Sequence, residues 1–211
     1  MSGLLIAGAG GHGCVVAETA QAMGKWERIA FLDDRHEALA GGMLSLPVLG
    51  RLDQAESFRD RYADIVVAIG DSQPRSQWMQ RFSAQGFDLP VLVHPTAWVS
   101  PSAGLAGGSV VFAQAAVGTR ARVGGGCIIN TGATVDHDCV LGECVHVCPG
   151  AHVGGDVQIG NQSWIGIGTS IVHCVRIGSC VMIGAGSVVI SDVEDNVTVA
   201  GVPVKVIKSH E

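Results

Sequence analysis

The chain has 211 residues, 13 Lys and Arg against 19 Asp and Glu, a formal net charge of −6, and 30 glycines beside only 5% aromatic residues. That length holds one or two domains with a substantial core. The acidic balance argues against nucleic acid or an anionic membrane as the main partner, because both attract a basic face.

Met1–Gly13 is apolar but broken by glycines, without the basic, apolar and cleavage-site order of a signal peptide. No apolar run is long enough to span a bilayer, so a soluble cytoplasmic protein without membrane insertion is expected. The seven cysteines are odd in number and include no CxxC pair. Free thiols, and neither a disulfide framework nor a zinc site, are expected.

Residues 1–95 alternate strand and helix signals. "LLIAGAG" is a short buried strand, and "HGCVVAETAQAMG" has helical periodicity with a stop at Gly24. "RIAFLDD" and "DIVVAIGD" are further strands, "QPRSQWMQRFSAQG" is an amphipathic helix ending at Gly86, and "LPVLVHP" is a last short strand. This alternation predicts a small parallel sheet of Rossmann-like α/β type ending near His94-Pro95.

Over 96–211 the pattern changes. Steps of six from Val99 to Val189 meet Leu, Ile or Val at all sixteen positions, with Val135, Leu141 and Val147 in mid-series. Two residues before each lies a small or β-branched residue, as at Ala115, Ala121, Cys127, Ala133 and Cys139. A strict six-residue period predicts a parallel β-helix of hexapeptide repeats, three to a triangular coil, with the aliphatic row inside. Cys127 and Cys139 are then core filler, while Cys144, Cys174 and Cys180 fall at outward or turn positions.

Within this repeat, "NTGATVDHDCVLG" admits three charged or titratable residues in a row, Asp136, His137 and Asp138. Because Val135 points inward, the triplet occupies the next surface turn. A histidine beside a carboxylate is a usual general-base arrangement. The alternative is a solvated polar turn.

"GAGGHG" matches G-x-G-x-x-G, with Asp33 and Asp34 about twenty residues on, which is the dinucleotide fingerprint. With about 95 residues the α/β part is half a full dinucleotide fold. It can cradle one nucleoside diphosphate, and an NAD-dependent oxidoreductase would need the missing half.

Taken in order, "GAGGHG", "FLDD", "AIGD", "HP" with "SPSA", "NTGATVDHDCVLG" and "GVPVK" resemble the hexapeptide-repeat sugar O- and N-acetyltransferases, of the sialic acid O-acetyltransferase and bacillosamine-pathway kind. The resemblance implies a left-handed β-helix, a homotrimer, acetyl-CoA as acyl donor, and a nucleotide-sugar acceptor. It implies His137 as general base, with Asp138 raising its basicity. It places Gly10, Gly11 and His12 near the diphosphate or sugar, Asp33 and Asp34 near the nucleoside, and Gly70 in the same pocket. Asn130 is a candidate contact to the acceptor. His146, Ile167, Ala185 and Lys205 are assigned to acetyl-CoA.

N-acetylation of a UDP-4-amino-4,6-dideoxy sugar for glycan or glycoprotein assembly is the expected reaction. A sialic acid O-acetyltransferase or a GDP-amino-sugar N-acetyltransferase is the alternative. A zinc enzyme of the γ-carbonic anhydrase kind shares the solenoid, but its paired histidines five residues apart have no counterpart here.

Overall fold

In a computed structural model describing residues 3–210, the chain forms two compact units that divide between Leu92 and Val93. The division precedes the expected junction by three residues, because the His94 N–H already donates to the Val111 carbonyl of the repeat at 2.9 Å. Among the described residues no helix is long and apolar enough to cross a membrane.

In the first unit, β1 (Gly3–Ala7) is followed by α1 (Gly11–Met23), β2 (Arg28–Leu32), β3 (Val48–Gly50), β4 (Asp64–Val67) and α2 (Ser72–Ala84). The sheet is parallel, in the order β3-β2-β1-β4. All five β1 residues are buried, as a central strand covered on both faces requires. The α1 helix stops where expected, at Gly24, in the left-handed conformation at φ 63°. Asp71 caps α2 by accepting the Gln73 N–H. Strand β3 and a 3₁₀ turn over Leu52–Phe58 are additions to the expected elements. Strand order reverses beside β1, so the loops after β1 and β4 flank the crevice where open α/β sheets take ligands.

The second unit is a left-handed β-helix of two-residue strands spaced six apart. Each strand pairs in parallel with those eighteen residues before and after it, so Val135 lies between Val117 and Val153. One face stacks Trp98–Val99 through Val188–Val189, a second Gly104–Leu105 through Arg176–Ile177, and a third includes Val110–Val111 through Met182–Ile183. The inward aliphatic row forms one core, with Val117, Val135, Val147 and Ile165 at 1% exposure or less. Each such side chain contributes roughly 1.5–3 kcal/mol by leaving water. The small row also satisfies turn carbonyls. Ser109 Oγ donates to Gly124 O at 2.8 Å and Ser163 Oγ to Gly178 O at 2.7 Å, and the Cys127 and Cys139 thiols do likewise to Gly142 O and Gly154 O.

Every turn from Gly108 to Gly186 places a residue at positive φ, again at steps of six. Asp138 (φ 61°) and Arg120 (φ 58°) hold this position in consecutive coils. Cys144 holds it too, at a turn as expected, and is buried there. The stack ends in a hairpin: Val197–Gly201 continues the parallel face, and Val204–Ser209 returns antiparallel to it.

Candidate active site

The turn after Thr134–Val135 carries the charged triplet on the corner between the first and second faces. His137 Nδ1 lies 2.8 Å from Asp138 Oδ2. Arg120, one coil earlier, grips the same carboxylate with both ends of its fork, Nε to Oδ1 and Nη2 to Oδ2, each at 2.7 Å. Hydrogen bonding from Arg120 first, and from His137 second, holds the Asp138 carboxyl down at about 2. The carboxylate is therefore ionised at neutral pH and can only accept, so His137 Nδ1 carries the shared proton. In the neutral ring that leaves the Nε2 lone pair available as a base.

The ring lies over Gly155 of the next coil. A Cβ there would stand 2.6 Å from both Cε1 and Nε2 of His137. The turn is tied to its neighbours by the Asp138 N–H donating to Thr119 O and the Asp156 N–H donating to His137 O. Beside it a groove of about 400 Å³ runs along the first face, lined by Trp98, Thr134, Asp136, His152 and Ser170 among others. His152, assigned no role by sequence, bonds Thr134 Oγ1 across that face at 3.0 Å.

Asn130 and His146 meet at a different corner, where Asn130 Nδ2 lies 3.1 Å from His146 Nε2. The Asn130 Oδ1 accepts the Thr131 N–H, which turns the amide nitrogen towards the ring. His146 Nε2 therefore accepts, and its proton sits on Nδ1. The ring is buried against Trp164, with centroids 4.2 Å apart. Ile167 and Ala185 are exposed at equivalent turns of consecutive coils, and Ile167 O accepts the Gly186 N–H. Lys205 is exposed on the last strand, opposite Ala200. The structure thus gathers Asn130 with His146, and Ile167 with Ala185, but leaves His137 on a separate corner of the same chain.

In the first unit the glycines divide by role. Gly8 has φ 113°, and a Cβ on it would press on the Ala68 carbonyl, so packing demands it. Gly10, Gly11 and Gly70 face open space, and among the described residues nothing lies within 4 Å of where their Cβ would stand. They flank the crevice between the loops after β1 and β4. Arg75, buried on α2, donates to the carbonyls of Ile69 and Gly70 and sets the second loop. Asp33 is buried and already engaged, accepting the Ala9 N–H at 2.9 Å and the Arg35 fork at 3.0 and 3.2 Å. Hydrogen bonding from Arg35 holds its carboxyl at about 2 against the opposing effect of burial. Asp34 is exposed and accepts the Leu52 N–H at 3.3 Å. The sequence reading missed Arg35, Arg75 and Arg120.

His12, in the first turn of α1, is pushed down to about 4, by burial first and by the Arg75 cation second. Its folded pKa lies below the ordinary histidine value of 6.5, so the unfolded chain binds the proton more readily. Stability from this group is complete above pH 6.5 and is lost as pH falls towards 4. The shift corresponds to roughly 2–3 kcal/mol at pH 4. Denaturant titrations at pH 7 and pH 4 should show the wild type losing that much more than a His12→Gln variant; equal losses would place His12 in water.

No cluster of three His, Cys, Asp or Glu able to hold a metal occurs among the described residues. Burial pushes the Cys148 thiol up to about 12 and raises that of Cys139, so neither supplies a thiolate at neutral pH.

Residues 3–82 match the PglD N-terminal domain family, and residues 156–191 match the bacterial transferase hexapeptide family (six repeats). The UDP-N-acetylbacillosamine N-acetyltransferase of Bacillus subtilis (strain 168) is 35% identical over 115 residues, 54% of this chain and 52% of its own length. The chain matches only about half the length of that curated relative. Solved structures match end to end. The acetyltransferase domain of PglB from Neisseria gonorrhoeae, in complex with acetyl coenzyme A, is 46% identical, with 97% of this chain and 98% of that one covered and a TM-score of 0.94. PerB from Caulobacter crescentus, in complex with CoA and GDP-perosamine, is 36% identical, with 99% and 98% covered and a TM-score of 0.92. The chain belongs to the hexapeptide-repeat sugar acetyltransferases that carry a PglD-type N-terminal domain.

Proposed function

We propose that this protein is an acetyl-CoA-dependent N-acetyltransferase acting on a nucleotide-linked amino-sugar, a UDP-4-amino-4,6-dideoxy sugar used in glycan assembly. The observation that carries the reading is a surface histidine whose tautomer is set by an ionised carboxylate. Its scaffold is matched along its length by an acetyltransferase domain bound to acetyl coenzyme A. The neutral sugar amine attacks the thioester carbonyl, the C–N bond forms and the C–S bond breaks. His137 Nε2 takes the proton the nitrogen sheds and returns it to the departing CoA sulfur. Asp138 keeps the proton on Nδ1 and stabilises the imidazolium.

Acceptor binding is assigned to the first unit. Gly10, Gly11 and Gly70 leave room for a diphosphate at the start of α1, where backbone N–H groups and the helix dipole favour an anion. His12 borders the same loop, and Asp34, exposed at the end of β2, is the better placed of the two aspartates for the nucleoside. Asn130 is assigned to the acceptor, and His146, Ile167, Ala185 and Lys205 to acetyl-CoA. Because His137 and the Asn130–His146 pair occupy different corners, one chain alone does not assemble the whole site. Three chains around an axis bring one chain's corner against its neighbour's other corner, which supports a homotrimer with shared clefts. Sedimentation should give a trimer, and a fully active monomer would refute the shared cleft. Acetyl-CoA and nucleotide-sugars are cytoplasmic metabolites, and the reading places the enzyme with them.

The deciding experiment is acetyl-CoA consumption with a panel of UDP- and GDP-linked amino-sugars, with sialic acid as the O-acetylation control. Turnover confined to a UDP-4-amino sugar is expected. Turnover of a GDP-amino-sugar alone would favour the alternative supported by the likeness to PerB, and turnover of sialic acid alone would reject N-acetylation.

A further inference from the structure

We propose that Arg120 is a positioning residue for the reaction, its guanidinium fork fixing the Asp138 carboxylate and through it the tautomer and tilt of the His137 ring. The inference rests on His137 being the proton acceptor. Arg120 and Asp138 hold the same left-handed turn position in consecutive coils, eighteen residues apart, so the coil spacing of about 4.8 Å sets one beside the other. Arg120 is itself anchored by its backbone N–H, which donates to Ser102 Oγ at 3.1 Å in the coil before.

The carboxylate torsion of an aspartate is soft and roughly two-fold. The His137 bond engages only Oδ2, and a carboxylate held at one oxygen is free to swing. The fork binds both oxygens at 2.7 Å and removes that freedom. Asp136 Oδ1 accepts the backbone N–H of His137, so of the two flanking carboxylates only that of Asp138 bonds the ring, and Arg120 supplies the cation bonded to it.

Stability alone does not account for the pair. The Arg120 side chain is 64% exposed, and exposed ion pairs contribute little to folding. Replacing it should therefore leave the unfolding midpoint unchanged while affecting turnover. Lysine keeps the charge but cannot form the fork.

The test compares Arg120→Ala, Arg120→Lys, His137→Ala and the Arg120→Ala/His137→Ala pair in steady-state kinetics, with nitrogen NMR of the imidazole. Expected for Arg120→Ala is a kcat lowered about 5- to 50-fold, both KM values within about twofold, and a weakened Nδ1 proton signal. Arg120→Lys should fall between it and the wild type, and the double variant should be no slower than His137→Ala. Wild-type kcat in Arg120→Ala, with His137→Ala inactive, would overturn the positioning role and leave the general-base reading standing. An active His137→Ala protein would instead overturn the general-base reading and this inference with it.

Discussion

His137→Ala is expected to lower kcat by roughly 10²–10⁴-fold at neutral pH, the usual contribution of a positioned general base. The structure makes this substitution a clean probe. The ring is 58% exposed, and the inward row of Val117, Val135 and Val153 forms the core without it, so its loss removes no core residue. Asn130 and His146 sit on another corner and remain bonded to each other, so KM for acetyl-CoA should stay close to the wild-type value. On the proposed mechanism, what disappears is the Nε2 lone pair that takes the amine's proton as the tetrahedral intermediate forms. The residual rate comes from holding thioester and amine together. Near-wild-type kcat in the variant would mean that the triplet is only a polar turn.

The repeat was legible because one physical demand recurs at every step. Each coil closes on the same core, so Leu, Ile or Val returns every sixth residue from Val99 to Val189, and the structure buries this row nearly throughout. The left-handed turn position was not legible, although it recurs just as strictly. Its occupants are as different as Gly126, Arg120, Cys144 and Gln162. Hydrogen bonds between coils set that conformation, such as the Asp138 N–H to Thr119 O, and local preference does not announce it. Arg120 was missed for a related reason. Its partner lies eighteen residues away, and the charge match shows only when the sequence is laid out by coils of three hexapeptides. The His137–Asp138 contact, between adjacent residues, needed no such layout. Strand β3 is three residues long between Pro47 and the 3₁₀ turn, too short for alternation to register. The final hairpin was hidden because its strands, "VTVAG" and "VKVIKS", break the six-residue period and pair antiparallel instead. In the first unit the glycine fingerprint was visible, but Arg75 and Arg35, which settle the loops around it, lie on neighbouring elements and carry no motif.

Gly155→Ala should lower kcat by roughly 10- to 100-fold while leaving the fold intact. Gly155 has no positive φ, so alanine meets no backbone strain there. The added methyl would stand 2.6 Å from Cε1 and Nε2 of His137, whereas non-bonded carbons settle near 3.5–4.0 Å. The deficit of about 1 Å falls on a side chain, not on backbone, so the imidazole is what moves. Moving it strains the 2.8 Å bond from Nδ1 to Asp138 Oδ2, in a carboxylate that Arg120 also holds, Nη2 at Oδ2 and Nε at Oδ1. The carboxylate is gripped from the preceding coil and cannot follow the ring. Nε2 is consequently carried off the line of the attacking amine, and a misplacement of about 1 Å in reacting groups costs about 10²-fold. Because the ring is largely exposed, the unfolding midpoint should shift little, separating this effect from core damage. The Gly155→Ala/His137→Ala pair should be no slower than His137→Ala alone, since a ring that is absent cannot be displaced. Kinetics on the four proteins with both substrates saturating would check this. Wild-type turnover in Gly155→Ala would show that the ring position over the glycine has no part in catalysis.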